Sequence, residues 1–286
     1  MIRVAALVAA TVAVCAACGG GKARDAGASR LHCSGHGRPA VILEAGLDAT
    51  HAAWARVQPS LARTTTTCSY DRLRGRRTAA ANRRDLWALL GTAHIRPPYV
   101  LVGHSFGGIL TYLDAAARPD DVAGLVLVDA ESPWQQRAFL TALGHPRRGE
   151  AAVAKKLRAF LSRPQPNAEG IDVTKTLAAA RDAGPLGRKP LVVIEAGLEN
   201  ADALPPRLKF LLDRTWFLLQ KRLAALSEQH IHAVAPTSGH DVISAAGQPE
   251  LVVAAAKVVV TAIRRRVPLP PCADVFAQFA AQCVSG

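Results

Sequence analysis

Aromatic residues are scarce in this chain: Phe, Trp and Tyr make up 5% of its 286 residues. No basic run is interleaved with stacking aromatics, which argues against a nucleic-acid groove. No Cys/His spacing matches a zinc site, and no internal repeat is present. Acids are short as well: 22 Asp and Glu against 35 Lys and Arg leave a formal net charge of +13. The cations concentrate at Arg72-Leu-Arg-Gly-Arg-Arg77, Arg83-Arg84, Arg147-Arg148 and Arg264-Arg265-Arg266. Such runs read either as attraction to an anionic surface, a membrane or cell wall, or as solvated faces and helix ends. Arg264 to Arg266, for example, close a helix whose C-terminal dipole favours cations.

The apolar run from Val4 to Ala17 is roughly fifteen residues, too short to span a bilayer comfortably. After the positive start Met1-Ile-Arg3 it suits the core of a signal peptide. Cys15-Ala-Ala-Cys18-Gly-Gly-Gly21 resembles a bacterial lipoprotein signal, with Cys18 as the acylated residue and Cys15 where Leu or Val is usual. The expectation is a signal peptide over 1–18, a flexible tether over 19–30, and an exported chain that is lipid-anchored to the outer face of the membrane or secreted. Cys33, Cys68, Cys272 and Cys283 then remain, and an oxidising compartment permits two disulfides. Three connectivities and four free buried thiols are all open. The local pairing, Cys33–Cys68 with Cys272–Cys283, is the expectation.

The remaining pattern alternates short apolar strands with amphipathic helices. Strands are expected at 40–45, 65–70, 98–103, 124–129, 190–195 and 231–235. Helices are expected at 54–62, 79–93, 106–117, 206–227 and 248–266. Such alternation means an α/β chain with a mostly parallel sheet and helices on both faces. The rhythm breaks over 131–189, where a helix near 150–162 is followed by Pro164, Pro166 and the turn signals Gly184-Pro185 and Gly187. That stretch reads as an insertion over the strand ends, where such sheets bind ligands.

One segment carries most of the chemistry. Tyr99-Val-Leu-Val-Gly-His-Ser-Phe-Gly-Gly108 runs from an apolar strand through Gly103-His-Ser105-Phe-Gly107 into a helix. Gly-x-Ser-x-Gly between strand and helix is a sharp turn that exposes the serine hydroxyl above the sheet edge. Its glycines are required where a Cβ would clash with a neighbouring strand or helix.

With Glu44-Ala-Gly46, Trp54, Tyr70-Asp-Arg72, Leu125-Val-Leu-Val-Asp129 and Ser238-Gly-His240 in order around it, the chain resembles the α/β-hydrolase superfamily over residues 31–266. It is most similar to exported bacterial members of the epoxide-hydrolase-like lineage that keep a serine nucleophile. The resemblance implies an α/β-hydrolase fold: a sheet of the eight-stranded type, a core over 31–130 and 190–286, and a helical lid over 131–189. It also makes the strands carrying Cys33 and Cys68 neighbours. Two places depart from the superfamily's pattern. Ala45-Gly46, preceded by Glu44, stands where His-Gly is usual, and Arg74 and Arg76 stand where turn glycines are usual.

A serine nucleophile needs a base, and the base an orienting acid. The resemblance implies the chain order nucleophile, acid, histidine. Ser105 is then the nucleophile and His240, in the loop after the strand 231–235, the base. His230 and His232 read as structural, His104 points elsewhere on the turn, and Asp241 points the wrong way. The acid is expected at Asp129, with Glu199 or Asp202 as alternatives after the next strand. The backbone N–H groups of Phe106 and Leu47 would form the oxyanion hole, and Glu44 would hold the latter's loop. The implied activity is ester hydrolysis through an acyl-enzyme, carboxylesterase- or lipase-like, on a small acyl substrate by a monomer. No metal, cofactor or nucleic acid is implied. Ser105 in place of a nucleophilic aspartate argues against epoxide or haloalkane chemistry. The alternatives are a peptidase, lactonase, thioesterase or carbon–carbon hydrolase on the same triad, and a non-catalytic surface binding protein on the same fold.

Overall fold

The computed structural model describes residues 30–285 except 147, 164–165 and 198–203. Cys18 and the segments 1–18 and 19–29, and the alternative acids Glu199 and Asp202, lie outside the described residues.

Eight strands form one sheet. β1 (Leu31–Ser34), β2 (Ala40–Glu44), β3 (Thr67–Tyr70), β4 (Tyr99–His104), β5 (Val122–Val128), β6 (Leu191–Ala196), β7 (His230–Ala235) and β8 (Gln282–Val284) are ordered β1-β3-β2-β4-β5-β6-β7-β8. The six inner strands are parallel, and β1 and β8 close the two edges antiparallel. Alternate residues of β4 show why the inner strands read as unbroken apolar runs. Tyr99 and Leu101 enter the core on one face, Val100 and Val102 the core on the other. Period-two side chains with both faces covered leave few polar positions.

The helices are α1 (Gln58–Ala62), α2 (Ala79–Thr92), α3 (Phe106–Ala117), α4 (Gln135–Leu143), α5 (Ala152–Leu161), α6 (Val173–Asp182), α7 (Pro206–Ala224), α8 (Pro249–Arg265) and α9 (Cys272–Phe276). The helix expected over 54–62 is instead a 3₁₀ turn, His51–Trp54, and the separate α1. Pro59 has no N–H to bond back to Ala55, so the α-helix begins only at Gln58. The stretch 131–189 holds three helices where the pattern marked one. α4 and α6 are 9 and 10 residues long, short enough to owe their stability to packing rather than propensity. α4, α5 and α7 share a separate apolar cluster around Phe139, Leu157, Leu161, Leu212 and Trp216.

Both cysteine pairs bridge. Cys33 and Cys68 lie directly opposite each other on β1 and β3, and Cys272–Cys283 ties α9 to β8. No helix among the described residues is long and apolar enough to cross a membrane.

The connection from β2 runs to one side of the sheet and that from β4 to the other. The crevice of a doubly wound sheet opens at such a divergence, at the carboxyl ends of the strands. Here those ends are Glu44 and His104.

Candidate active site

Ser105 follows β4 and precedes α3 with φ 53° and ψ −124°. A non-glycine residue there costs roughly 1–3 kcal/mol, held only because the surroundings over-determine it. The surroundings are visible. Ser105 N donates to the Val128 carbonyl at 3.0 Å, and Ser105 O accepts from the amides of Gly108 and Glu131, both at 3.0 Å. A Cβ on Gly107 would lie 2.4 Å from the Glu44 carbonyl oxygen, and one on Gly103 2.6 Å from the Gly107 oxygen. The two glycines therefore let the turn nest between β2 and α3, and the turn aims the hydroxyl outward.

His240 comes from the loop after β7, Asp129 from the end of β5. His240 Nδ1 lies 2.7 Å from Asp129 Oδ2, and Nε2 lies 3.0 Å from Ser105 Oγ. A carboxylate only accepts, so Nδ1 carries the proton and Nε2 is left as the acceptor for the serine O–H. Asp129 is 0% exposed. Its Oδ1 accepts from the Trp216 indole N–H at 3.0 Å and the Ala196 amide at 3.1 Å. Burial of His240 opposes its charged form, but the Asp129 hydrogen bond and charge outweigh it, aided by Asp241 and Glu131, and raise its pKa. Glu131, two residues past Asp129, is itself pushed up to about 7, chiefly by burial.

The other histidines have other partners. His104 is buried, and burial first and His240 second push its pKa down to about 4. Its Nε2 donates to the His240 carbonyl at 2.9 Å, steadying that loop from behind. His232 pairs with Glu195 at 2.9 Å and His230 with the Ser227 carbonyl at 2.7 Å.

Phe106 is the first residue of α3, so its N–H has no carbonyl one turn back within the helix. A Cβ on Gly46 would lie 3.4 Å from Ser105 Cβ, which places the loop bearing Leu47 against the same turn. Glu44, expected to hold that loop, is joined there by groups to which the sequence assigned no such role. Arg72, its side chain 3% exposed, donates to the carbonyls of Ala45, at 2.6 Å, and Gly46 and to the carboxylates of Glu44 and Glu169. The Tyr70 hydroxyl also donates to Glu44. Asp48 N donates to Glu169 Oε1 at 2.7 Å, while Glu169 N donates to Asp48 Oδ1 at 2.9 Å. Tyr70-Asp-Arg72 was visible as a motif. Glu169 and Trp216 gave no signal, because their partners lie 97 and 87 residues away.

His32, His51 and Asp71 also converge, their ligand-type atoms within 4.8 Å of one another. The two rings stack 3.7 Å apart at 15°. No single ion lies in both ring planes of that arrangement, and Asp71 is occupied by the His51 backbone N–H at 2.8 Å and ring nitrogen. The cluster fits a hydrogen-bonded brace better than a metal centre.

Comparison with known proteins covers most of the chain. A 25% identity over 220 residues relates it to the uncharacterized protein YqjL of Bacillus subtilis (strain 168), covering 74% of this chain and 80% of that one. A thermophilic esterase from Thermogutta terrifontis superposes with a TM-score of 0.52 at 19% identity, covering 83% of this chain and 93% of the other. A hydrolase from Pseudomonas aeruginosa gives 0.53 at 18%, covering 81% and 93%. These solved structures share the fold. The family model described as "Alpha/beta hydrolase family" matches residues 31–256, and to that family of hydrolases this chain belongs.

Proposed function

We propose that the chain is a serine hydrolase that cleaves an ester, carboxylesterase- or lipase-like, through an acyl-enzyme. The observation that carries this reading is the unbroken relay from Ser105 Oγ through His240 to buried Asp129, mounted on a strained turn at the sheet's crevice. His240 Nε2 takes the serine proton as Oγ attacks the ester carbonyl carbon. The negative charge that develops on the carbonyl oxygen is received by the N–H groups of Phe106 and Leu47. Asp129 holds the imidazole tautomer and stabilises the imidazolium. The imidazolium protonates the leaving alcohol. Water, deprotonated by the same nitrogen, then releases the acid and restores Ser105.

The helices of 131–189 form a lid over this crevice, and the substrate is a small acyl compound bound by a monomer. Amide, lactone, thioester and carbon–carbon bond cleavage use the same groups and are the enzymatic alternatives. A binding protein on this fold would have no use for the relay. Turnover of short-chain nitrophenyl esters and labelling by a fluorophosphonate probe test the reading. Ser105→Ala is expected to lower turnover on the order of 10⁵-fold and to abolish labelling. A wild-type protein inert in both assays sinks it, and a panel of acyl chain lengths with a dipeptide amide and a lactone separates the alternatives.

Export and acylation at Cys18 complete the proposal, supported by the residue pattern at 1–21 and by the two disulfides. Mass spectrometry of the membrane fraction tests it. An unmodified N-terminus cut elsewhere refutes the anchor.

A further inference from the structure

We propose that the outer face built by α4, α6 and α7 docks on a bilayer surface of anionic phospholipid. The helix α7 is two-sided. Leu212, Trp216, Leu219 and Leu223 are buried on its inner side. On its outer side Phe210 is 62% and Leu218 54% exposed, two of the three large hydrophobic side chains so exposed among the described residues. Positions 207, 210, 214, 218 and 222 recur every three or four residues and so form one stripe along the helix. The stripe reads Arg, Phe, Arg, Leu, Arg.

Beside it, α4 and α6 complete a groove of about 1010 Å³, to which Arg137, Arg181, Arg214 and Arg222 contribute around an apolar lining. Two of these cations are held in place: Arg222 sits 3.5 Å over the Trp134 ring and Arg181 donates to the Pro133 carbonyl at 3.1 Å. None of the four has a carboxylate within ion-pair distance among the described residues. The one acid of α7, Asp213, is held by Lys209 at 2.6 Å, α4 has no acid, and the one acid of α6, Asp182, lies outside the groove's lining.

Guanidinium groups with no carboxylate partner among the described residues, alternating with protruding Phe and Leu, match a bilayer interface, where apolar side chains enter the acyl boundary and cations meet phosphates. A purely anionic partner would engage the arginines and leave Phe210 and Leu218 in water. Nucleic acid would find one aromatic ring in the groove, already covered by Arg222. These cations come from three helices and form no run in the sequence. They are distinct from the basic stretches at 72–77, 83–84 and 264–266.

The test is co-sedimentation of the full chain carrying Cys18→Ser, which removes the acylation site, with vesicles containing phosphatidylglycerol or phosphatidylcholine alone. Every protein compared carries the same N-terminal segment. Binding is expected on the phosphatidylglycerol vesicles and to fall with salt. Arg137→Glu with Arg214→Glu should weaken it at least about tenfold. Phe210→Ser with Leu218→Ser should weaken it severalfold. Arg84→Glu with Arg265→Glu, an equal change of charge on other faces, should leave it within about twofold. Equal losses in the two charge-reversed pairs, or equal binding to both kinds of vesicle, overturn the proposal. Matching thermal melts of the two test variants show that any loss arises at the surface. If one variant fails to fold, the other still decides.

Discussion

Asp129 is the residue on which the electrostatics of the site turn. It is dry and it faces three donors: His240 Nδ1, the Trp216 indole and the Ala196 amide. Its charge overcomes the burial that would keep His240 neutral. On the proposed mechanism the base must be neutral to take the serine proton, so kcat/KM should fall as pH drops through the raised His240 pKa. Asp129→Asn removes the raising influence and leaves the burial, which lowers. The acid limb of the pH–rate profile should therefore move to lower pH, while the plateau falls roughly 10³–10⁴-fold. An acid limb that stays in place would mean that another group sets it, and Glu131, pushed up to about 7, is the next to replace. The relay's three residues were legible because two sit in local patterns, Gly-x-Ser-x-Gly and Ser-Gly-His, and the third ends an apolar strand. Trp216 was not, because nothing on an amphipathic helix marks which of its aromatics reaches a carboxylate 87 residues earlier.

At the scale of elements, the loop after β2 is held by side chains at and just beyond the end of β3 and from the 131–189 stretch. Arg72 gathers two carbonyls and two carboxylates in one buried fork, and Glu169 and Asp48 exchange reciprocal bonds to each other's amides. On the proposed mechanism Arg72 is a positioning residue. It touches no reacting atom, but it fixes the peptide planes on either side of Gly46 and hence the direction of the Leu47 N–H. Arg72→Lys keeps the charge but loses the fork that bridges these acceptors. A kcat some 10- to 100-fold lower with KM little changed is expected, because the oxyanion contact forms in the transition state. Arg72→Met should instead cost about 3–5 kcal/mol of stability, since Glu44 and Glu169 are left buried without their cation. Adding Glu44→Gln and Glu169→Gln should recover much of the stability measured by thermal melts but not kcat. Recovery of both would make Arg72 merely structural. Six of the strands, β2 to β7, and α2, α3, α7 and α8 were legible because apolar runs and helical periodicity between turn signals leave little choice. β8 was not: three residues centred on Cys283 carry no periodicity, and only pairing with β7 makes them a strand.

For the whole molecule, the two disulfides occupy corresponding places. Each ties down one of the antiparallel strands that close the sheet, β1 through Cys33 to β3 and β8 through Cys283 to α9. Short edge strands have hydrogen-bond partners on one side only and are the parts of a sheet that fray or pair wrongly. A covalent tie there stabilises mainly by restricting the unfolded chain. The cysteines are 35 and 11 residues apart, which corresponds to about 4 and 3 kcal/mol in the loop-closure model. The two bridges differ more in exposure than in loop length. Each bridge has one exposed cysteine, Cys33 or Cys283, but Cys33's partner Cys68 is fully buried against the core whereas Cys283's partner Cys272 is only half-buried. Mild reductant should therefore open Cys272–Cys283 first, releasing β8 and α9 while the crevice at β2 and β4, at the centre of the sheet, keeps its geometry. Cys272→Ser with Cys283→Ser should lower the midpoint of thermal unfolding by roughly 5–10 °C and leave ester turnover at 25 °C within about twofold. Calorimetry with a parallel activity assay checks both parts. A loss of turnover that matched the loss of stability would show that the far edge of the sheet is coupled to the relay on Ser105.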